Sequence, residues 1–219
     1  MHDSSTDATP IAISAEADSP AAPVRKRPKP GERRVQILQA LAAMLEQPGS
    51  ERVTTAALAA RLEVSEAALY RHFASKAQMF EALIEFIERS IFALVNQITA
   101  DPLDAAESRR QALRILTVLL QFGEKNPGMT RVMVGDALVF ENERLQQRMN
   151  QFFDKIEASL RQCLRLAGGD GASATPSVDA AVQASVMTAF ATGRLQRFAR
   201  SGFRRLPTEH LEASLQWLA

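Results

Sequence analysis

From Gly31 onward the apolar residues recur at three- and four-residue spacing, and no stretch alternates convincingly as a strand would. A chain patterned in this way buries a core as packed helices. Val35, Leu38, Leu41, Ala42 and Leu45 set the period in the first segment, and Pro48-Gly49 ends it. Most Gly and Pro fall between such segments, as at Asp101-Pro102 and Asn126-Pro127-Gly128. The pattern predicts helices over 32–46, 54–61, 65–71, 75–98, 104–125, 127–139, 141–166, 177–201 and 208–218, with a flexible Gly-rich loop over 166–176. The predicted fold class is all-α.

The 219 residues are enough to bury a substantial core. No apolar run approaches the roughly 20 residues of a membrane span. One cysteine, Cys163, excludes an intrachain disulfide, and His2, His72 and His210 are too scattered for a histidine-built metal site. There is no nucleophile–base pair, metal-ligand cluster or Gly-rich phosphate loop, so no catalytic residue, metal or cofactor is expected. The N-terminus shows no basic-then-apolar signal pattern, which makes the cytoplasm the expected compartment.

Charge divides the chain unevenly. Residues 1–24 carry four acidic groups and no Lys or Arg, residues 25–76 carry ten basic and five acidic groups, and residues 77–219 are balanced. The Ser-, Ala- and Pro-rich residues 1–30 are expected to be disordered, ending in the basic arm Arg25-Lys26-Arg27-Pro28-Lys29. Residues 31–76 then read as a basic domain and 77–219 as a larger neutral one. A local excess of +5 points to a polyanionic partner.

Within the basic domain, residues 54–73 read as helix, short turn at Leu62-Glu63-Val64, and second helix. Leu58, Leu62, Val64 and Leu69 are placed to pack the pair, and Ala59 is small where they cross. Such an angled pair presents its second helix to the DNA major groove. Ser65 is the expected cap of that helix, and Thr54 or Thr55 of the first. Glu66, Ala67 and Ala68 open the second helix, where side chains reach base edges: alanines can meet thymine methyls and a carboxylate can accept from cytosine. Tyr70, Arg71 and His72 suit phosphate contacts, as do the hydroxyls of Thr54 and Thr55. Lys76 begins the next helix, where its charge opposes the dipole, which makes more sense beside a phosphate. Glu63 occupies the turn position that favours glycine, at a cost on the order of 1 kcal/mol.

The segment Ala59…Val64-Ser65…Leu69-Tyr70-Arg71-His72-Phe73…Ser75-Lys76…Met79-Phe80 resembles the DNA-binding domain of TetR-type regulators. Leu83–Glu88, Phe122–Gly128, Phe140–Gln146 and Asn150–Glu157 further resemble one branch of them, the SlmA-like nucleoid occlusion factors. The resemblance spans about 31–219. It implies a homodimer that binds palindromic chromosomal double-stranded DNA, with more than one dimer per site an open possibility. It also implies a nucleoid-associated protein that, while on DNA, engages the division protein FtsZ and disrupts its polymers.

In such folds the helices at 141–166 and 177–201 pair with their counterparts, which nominates Phe152, Ile156, Phe190 and Gly193 for the dimer interface. Gly193 is the strongest of these, because a mid-helix glycine costs about 1 kcal/mol unless a close approach repays it. The same resemblance places the FtsZ-facing groove along helix 75–98 and residues 122–128. Phe86 and Leu94 would form its apolar wall, Lys125 and Asn126 its polar end. The competing reading is a TetR-type repressor released by a small molecule held inside 77–219.

Overall fold

The computed structural model describes residues 31–47, 53–100, 104–168 and 175–218. The 1–30 tail with its basic arm, Pro48-Gly49, Asp101-Pro102 and the centre of the Gly-rich loop lie outside those residues. Among the described residues the elements are helices α1 (Glu32–Leu45), α2 (Thr55–Arg61), α3 (Glu66–Tyr70), α4 (Lys76–Ile98), α5 (Ala105–Lys125), α6 (Pro127–Met133), α7 (Glu143–Ala167), α8 (Pro176–Arg200) and α9 (Leu211–Leu218). There is no strand among them. The protein is all-α, as its periodicity requires.

Helices α1–α3 and the first turns of α4 close a small core around Ile37, Leu41, Leu45, Val53, Leu58, Leu69, Phe73 and Phe80, each at most 5% exposed. The sequence boundary at residues 76 and 77 falls in the first turn of α4, and the helix runs through it without a break. Its 23 residues span about 35 Å at ~1.5 Å per residue. Met79, Phe80, Leu83, Ile84, Ile87, Ile91 and Val95 form one inaccessible stripe along that length. At the far end α5, α7 and α8 pack together, with Ile115, Leu119, Phe152, Ile156, Met187 and Leu195 all 0% exposed.

Two glycines fix how the layers approach. A Cβ on Gly123 of α5 would lie 2.4 Å from the Leu195 side chain of α8, and one on Gly128 of α6 would lie 2.0 Å from the Ala42 carbonyl oxygen of α1. Thr130, wholly buried, donates its hydroxyl to the Gly123 carbonyl at 2.8 Å, so its burial leaves no polar group unpaired. Charged contacts add to the frame: Arg148 of α7 meets Glu88 of α4 at 2.7 Å, with Lys155 at 3.6 Å from the other carboxylate oxygen.

Two predicted boundaries are corrected. The helix expected over 127–139 stops at Met133, because Gly135 takes φ 85 and redirects the chain into a 3-10 turn at Asp136–Leu138. The helix expected from 208 begins at Leu211, after His210 at φ 52.

Because Gly128 meets backbone rather than a movable side chain, Gly128→Ala should force α6 off α1. Overpacking of this kind costs about 1–3 kcal/mol. Equilibrium urea unfolding should show that loss, and an unchanged midpoint would mean the α1–α6 contact is more yielding than its geometry implies.

Candidate nucleic-acid interface

Helices α2, α3 and α4 each start on a hydroxyl cap. Thr54 is extended (φ −100, ψ 152) and its Oγ1 accepts from the Ala57 N–H at 3.2 Å. Ser65 Oγ accepts from Ala68 N–H and Ser75 Oγ from Gln78 N–H, each at 3.2 Å. Each cap uses an oxygen lone pair inward and keeps its O–H proton free to donate outward. Capping and phosphate contact are therefore compatible in Thr54 and Ser65. Ser75 is a third such group that the sequence pattern did not single out, although its Ser-Lys start gave the signal.

The turn between the helices is closed by Val64 N–H donating to Ala59 O at 3.0 Å and Glu63 N–H to Ala60 O at 3.1 Å. Glu63 has φ 54, the left-handed backbone that the turn demands without its usual glycine. Leu58, Ala59 and Leu69 are buried beneath it, while Glu66, Ala67, Tyr70 and Arg71 on α3 and its end are exposed and Ala68 is half-buried. Helix α3 is shorter than predicted, ending at Tyr70, so Arg71 is its C-cap and His72 lies beyond it. Tyr70 is 44% exposed, whereas Phe73 is core.

Three of the proposed contact residues are engaged within the chain. Thr55 Oγ1 donates to Glu66 Oε2 at 2.6 Å, which leaves the other carboxylate oxygen free to accept. Lys76 ion-pairs with Glu141, whose side chain is only 8% exposed, and its Nζ lies 5.7 Å from the Phe80 ring. The cation at the head of α4 is thus balanced by a carboxylate from before α7, and no phosphate is needed to explain it. Arg34, on which no sequence motif falls, stacks 4.1 Å over Phe73 and donates to the His72 carbonyl, bracing α1 against the end of α3. Its 38-residue separation from His72 gave spacing arguments nothing to find.

On α4, Phe86 and Leu94 are 42% and 40% exposed, at the edges of the buried stripe. Leu94 lines a cleft of about 330 Å³ with Gln97, Ile98, Arg114, Thr117 and Val118, and Thr117 also borders a wider groove of about 610 Å³ against α9. Helices α4 and α5 are consecutive and packed together. Phe86 lies eight residues back from Leu94 and Lys125 eight residues on from Thr117, each about 12 Å along its helix. Lys125 is exposed, but the Asn126 amide donates to Phe122 O at 2.8 Å and so closes the end of α5.

The dimer assignments divide. Phe152 and Ile156 are 0% exposed, and Phe152 sits edge-on to Phe92 (5.8 Å) and Phe153 (5.1 Å). They are corrected to core residues, since α7 turns that stripe toward α4 and α5. Phe190 is half-buried beneath Arg194, 4.8 Å away, and a Cβ on Gly193 would meet nothing within 4 Å. Exposed instead on α8 are Val178 (59%), Val182 (60%) and Val186 (51%), a line at four-residue spacing that continues to Phe190. Cys163 lies in the core, where burial pushes its thiol up and a backbone hydrogen bond opposes less strongly, so it is a neutral packing group. Among the described residues no helix is long and apolar enough to cross a membrane, and no group of three or more His, Cys, Asp or Glu could hold a metal.

Residues 37–83 match the family TetR_N, bacterial regulatory proteins of the tetR family, and residues 107–219 match SlmA-like_C, a tetracyclin repressor-like C-terminal domain. The chain is 51% identical over 188 residues to the nucleoid occlusion factor SlmA of Idiomarina loihiensis, covering 84% of this chain and 91% of that one. The chain belongs to the SlmA family. A SlmA relative from Cronobacter sakazakii is 50% identical over 191 residues, covering 85% and 93%. Among solved structures, the fatty acid degradation regulator FadR of Bacillus halodurans shares the fold with TM-score 0.68 at 12% identity, covering 86% of this chain and 95% of that one. FadR of Bacillus subtilis, solved with stearoyl-CoA, gives TM-score 0.64 at 13%, covering 84% and 96%. At such identities the likeness to the two FadR proteins shows the fold alone.

Thr54→Ala and Ser65→Ala should each lower stability by about 1 kcal/mol through loss of a cap, whereas Tyr70→Phe should leave it unchanged. Chemical denaturation of the three variants checks this. Equal midpoints for all three would show that the caps contribute nothing.

Proposed function

We propose that the protein is a nucleoid occlusion factor that binds palindromic chromosomal DNA as a dimer and, while bound, engages FtsZ and disrupts its polymers. The septum is thereby kept from forming over unsegregated DNA, and the protein itself sits on the nucleoid. On the DNA side, α3 enters the major groove with Glu66, Ala67 and Ala68 toward base edges, and Thr54, Thr55, Ser65, Tyr70, Arg71 and His72 toward phosphates. Lys76 joins them only by exchanging Glu141 for a phosphate oxygen, and Thr55 only by turning its hydroxyl from Glu66 to one. Several dimers on one site would multiply the surface offered to a polymer.

The observation that carries the reading is the pair of exposed apolar side chains, Phe86 and Leu94, at the edges of the buried stripe of α4. An apolar wall beside an open α4–α5 cleft, with Lys125 beyond, suits a short peptide bearing apolar and acidic residues. That arrangement favours a protein partner over a ligand-released repressor. FtsZ sedimentation, with and without the selected duplex, tests it. Phe86→Ala and Lys125→Ala should keep wild-type DNA affinity and lose DNA-stimulated polymer disruption, a hot-spot loss of at least about 1 kcal/mol or fivefold in binding. FtsZ polymers left untouched by the wild-type protein on its specific DNA would refute the reading.

For assembly, the exposed Val178–Val182–Val186 line of α8 is the proposed contact with a second copy, continuing past Phe190 to Gly193. Val182→Glu would place a charge in that apolar contact. Sedimentation velocity should then show monomer at concentrations where the wild type is dimeric, with folded-state helicity retained. A Val182→Glu protein that still dimerises would move the interface elsewhere.

A further inference from the structure

Arg194, Arg197, Arg200, Arg204 and Arg205 crowd the last turns of α8 and the turn after it, and no Asp or Glu occurs between Asp179 and Glu209. Arg194 is committed internally, donating to Ser214 Oγ at 2.7 Å and to the carbonyls of Pro207 and Glu209. The other four are exposed. Among the described residues the side chains of Arg197, Arg200 and Arg205 make no ion pair or hydrogen bond, and that of Arg204 holds only the Ser201 carbonyl at 2.9 Å.

The turn that carries them is built. Ser201 Oγ accepts from the backbone N–H groups of Arg204 (3.1 Å) and Arg205 (2.9 Å). Gly202 and Phe203 are both left-handed, at φ 61 and 63, and Phe203 packs edge-on against Phe198 with centroids 5.1 Å apart. A non-glycine residue at positive φ persists only where its surroundings enforce it. Here Arg131 of α6 lies 5.2 Å over the Phe203 ring.

That contact also places the turn. Helix α6 is pressed against α1 at Gly128 and Ala42, so the Phe203 turn lies at the end of the larger domain that faces the helix-turn-helix. Helix lengths agree: Glu141, just before α7, pairs with Lys76 at the domain junction, α7 leads away for 25 residues and α8 returns over 25. The arginines also end the α8 face on which Val178, Val182 and Val186 are exposed. Pairing two copies through that face brings both clusters near the two-fold axis, on the side of the recognition helices. Unpaired guanidinium groups gathered there repel one another unless an anion lies against them.

We infer that Arg197, Arg200, Arg204 and Arg205 form a second DNA contact, a sequence-independent phosphate clamp over the centre of the palindrome between the two half-sites. Guanidinium binds phosphate oxygens bidentately, and such contacts position a duplex without reading it. The inference rests on the proposed dimeric DNA-binding function.

The test uses full-length dimer, the Arg204→Gln/Arg205→Gln double variant, and two duplexes of equal length. One carries the palindrome that the wild type selects from random DNA, and the other is unrelated. The two substitutions keep the backbone N–H groups that Ser201 holds and lie off the α8 face, and sedimentation verifies the dimer. Fluorescence anisotropy across roughly 50–200 mM salt should show the variant about tenfold weaker on both duplexes, with their affinity ratio unchanged. The slope of log affinity against log salt should fall by about 2 to 4, roughly one unit for each phosphate that is no longer neutralised. Methylphosphonate linkages at the central phosphates should weaken the wild type more than the variant, which keeps Arg197 and Arg200. An unchanged salt slope would overturn the inference, including the case in which the variant instead loses an acidic protein partner. Wild-type protein that binds neither duplex would overturn the DNA-binding function itself, a result separable from failure of the clamp alone.

Discussion

Helix α4 is the member on which the other elements depend. Its inaccessible stripe from Met79 to Val95 runs through one continuous core, the first turns sealing the helix-turn-helix and the later ones packing against α5 and α7. A rod of ~35 Å with no break at the junction allows little bending without exposing Leu83, Ile84 or Ile87, each costing about 1.5–3 kcal/mol to uncover. The orientation of α3 is therefore tied to that of the larger domain. The same commitment of one stripe to the core leaves Phe86 and Leu94, at its edges, partly in water.

A second set of constraints converges where the domains meet. Gly128 lets α6 touch the backbone of α1, Arg34 joins α1 to the end of α3, and Glu141 reaches Lys76. The Lys76–Glu141 pair is partly buried, so it is screened less by salt than surface pairs are. It gives α4 a counter-charge at the end where a lysine is otherwise unfavourable. Any anion that took Lys76 would have to compensate Glu141 as well.

The all-α class and most helix positions were legible because the apolar period is unbroken and Gly and Pro mark the joints. The left-handed turn at Glu63 was legible too, since a helix-turn-helix fixes where positive φ must fall. The missed break at Gly135 reflects an apolar run whose period continues through a residue that the tertiary contacts turn left-handed. Phe152 and Ile156 went to the wrong surface for a related reason. Periodicity finds the apolar stripe of α7, but only packing decides whether the chain's own α4 and α5 or a second copy covers it. On α8 the small residues Ala180, Ala184 and Ala191 face inward and the valines outward, an inversion that hydrophobicity alone would not reveal. Arg34 and Lys76 found their partners across long stretches of sequence, beyond the reach of local spacing.

The caps at Thr54, Ser65 and Ser75 have a consequence of their own. Since each oxygen already receives a backbone N–H, what remains on the outer side is a proton without a competing role. This edge of the protein is thus sorted by hydrogen-bond polarity as well as by charge: it offers donors to an acceptor-rich surface and little to a donor-rich one. Such discrimination comes from neutral groups at contact distance. Mobile ions that weaken the pull of Arg71 leave it largely in place, so it would set the register of binding even where long-range attraction has been screened away.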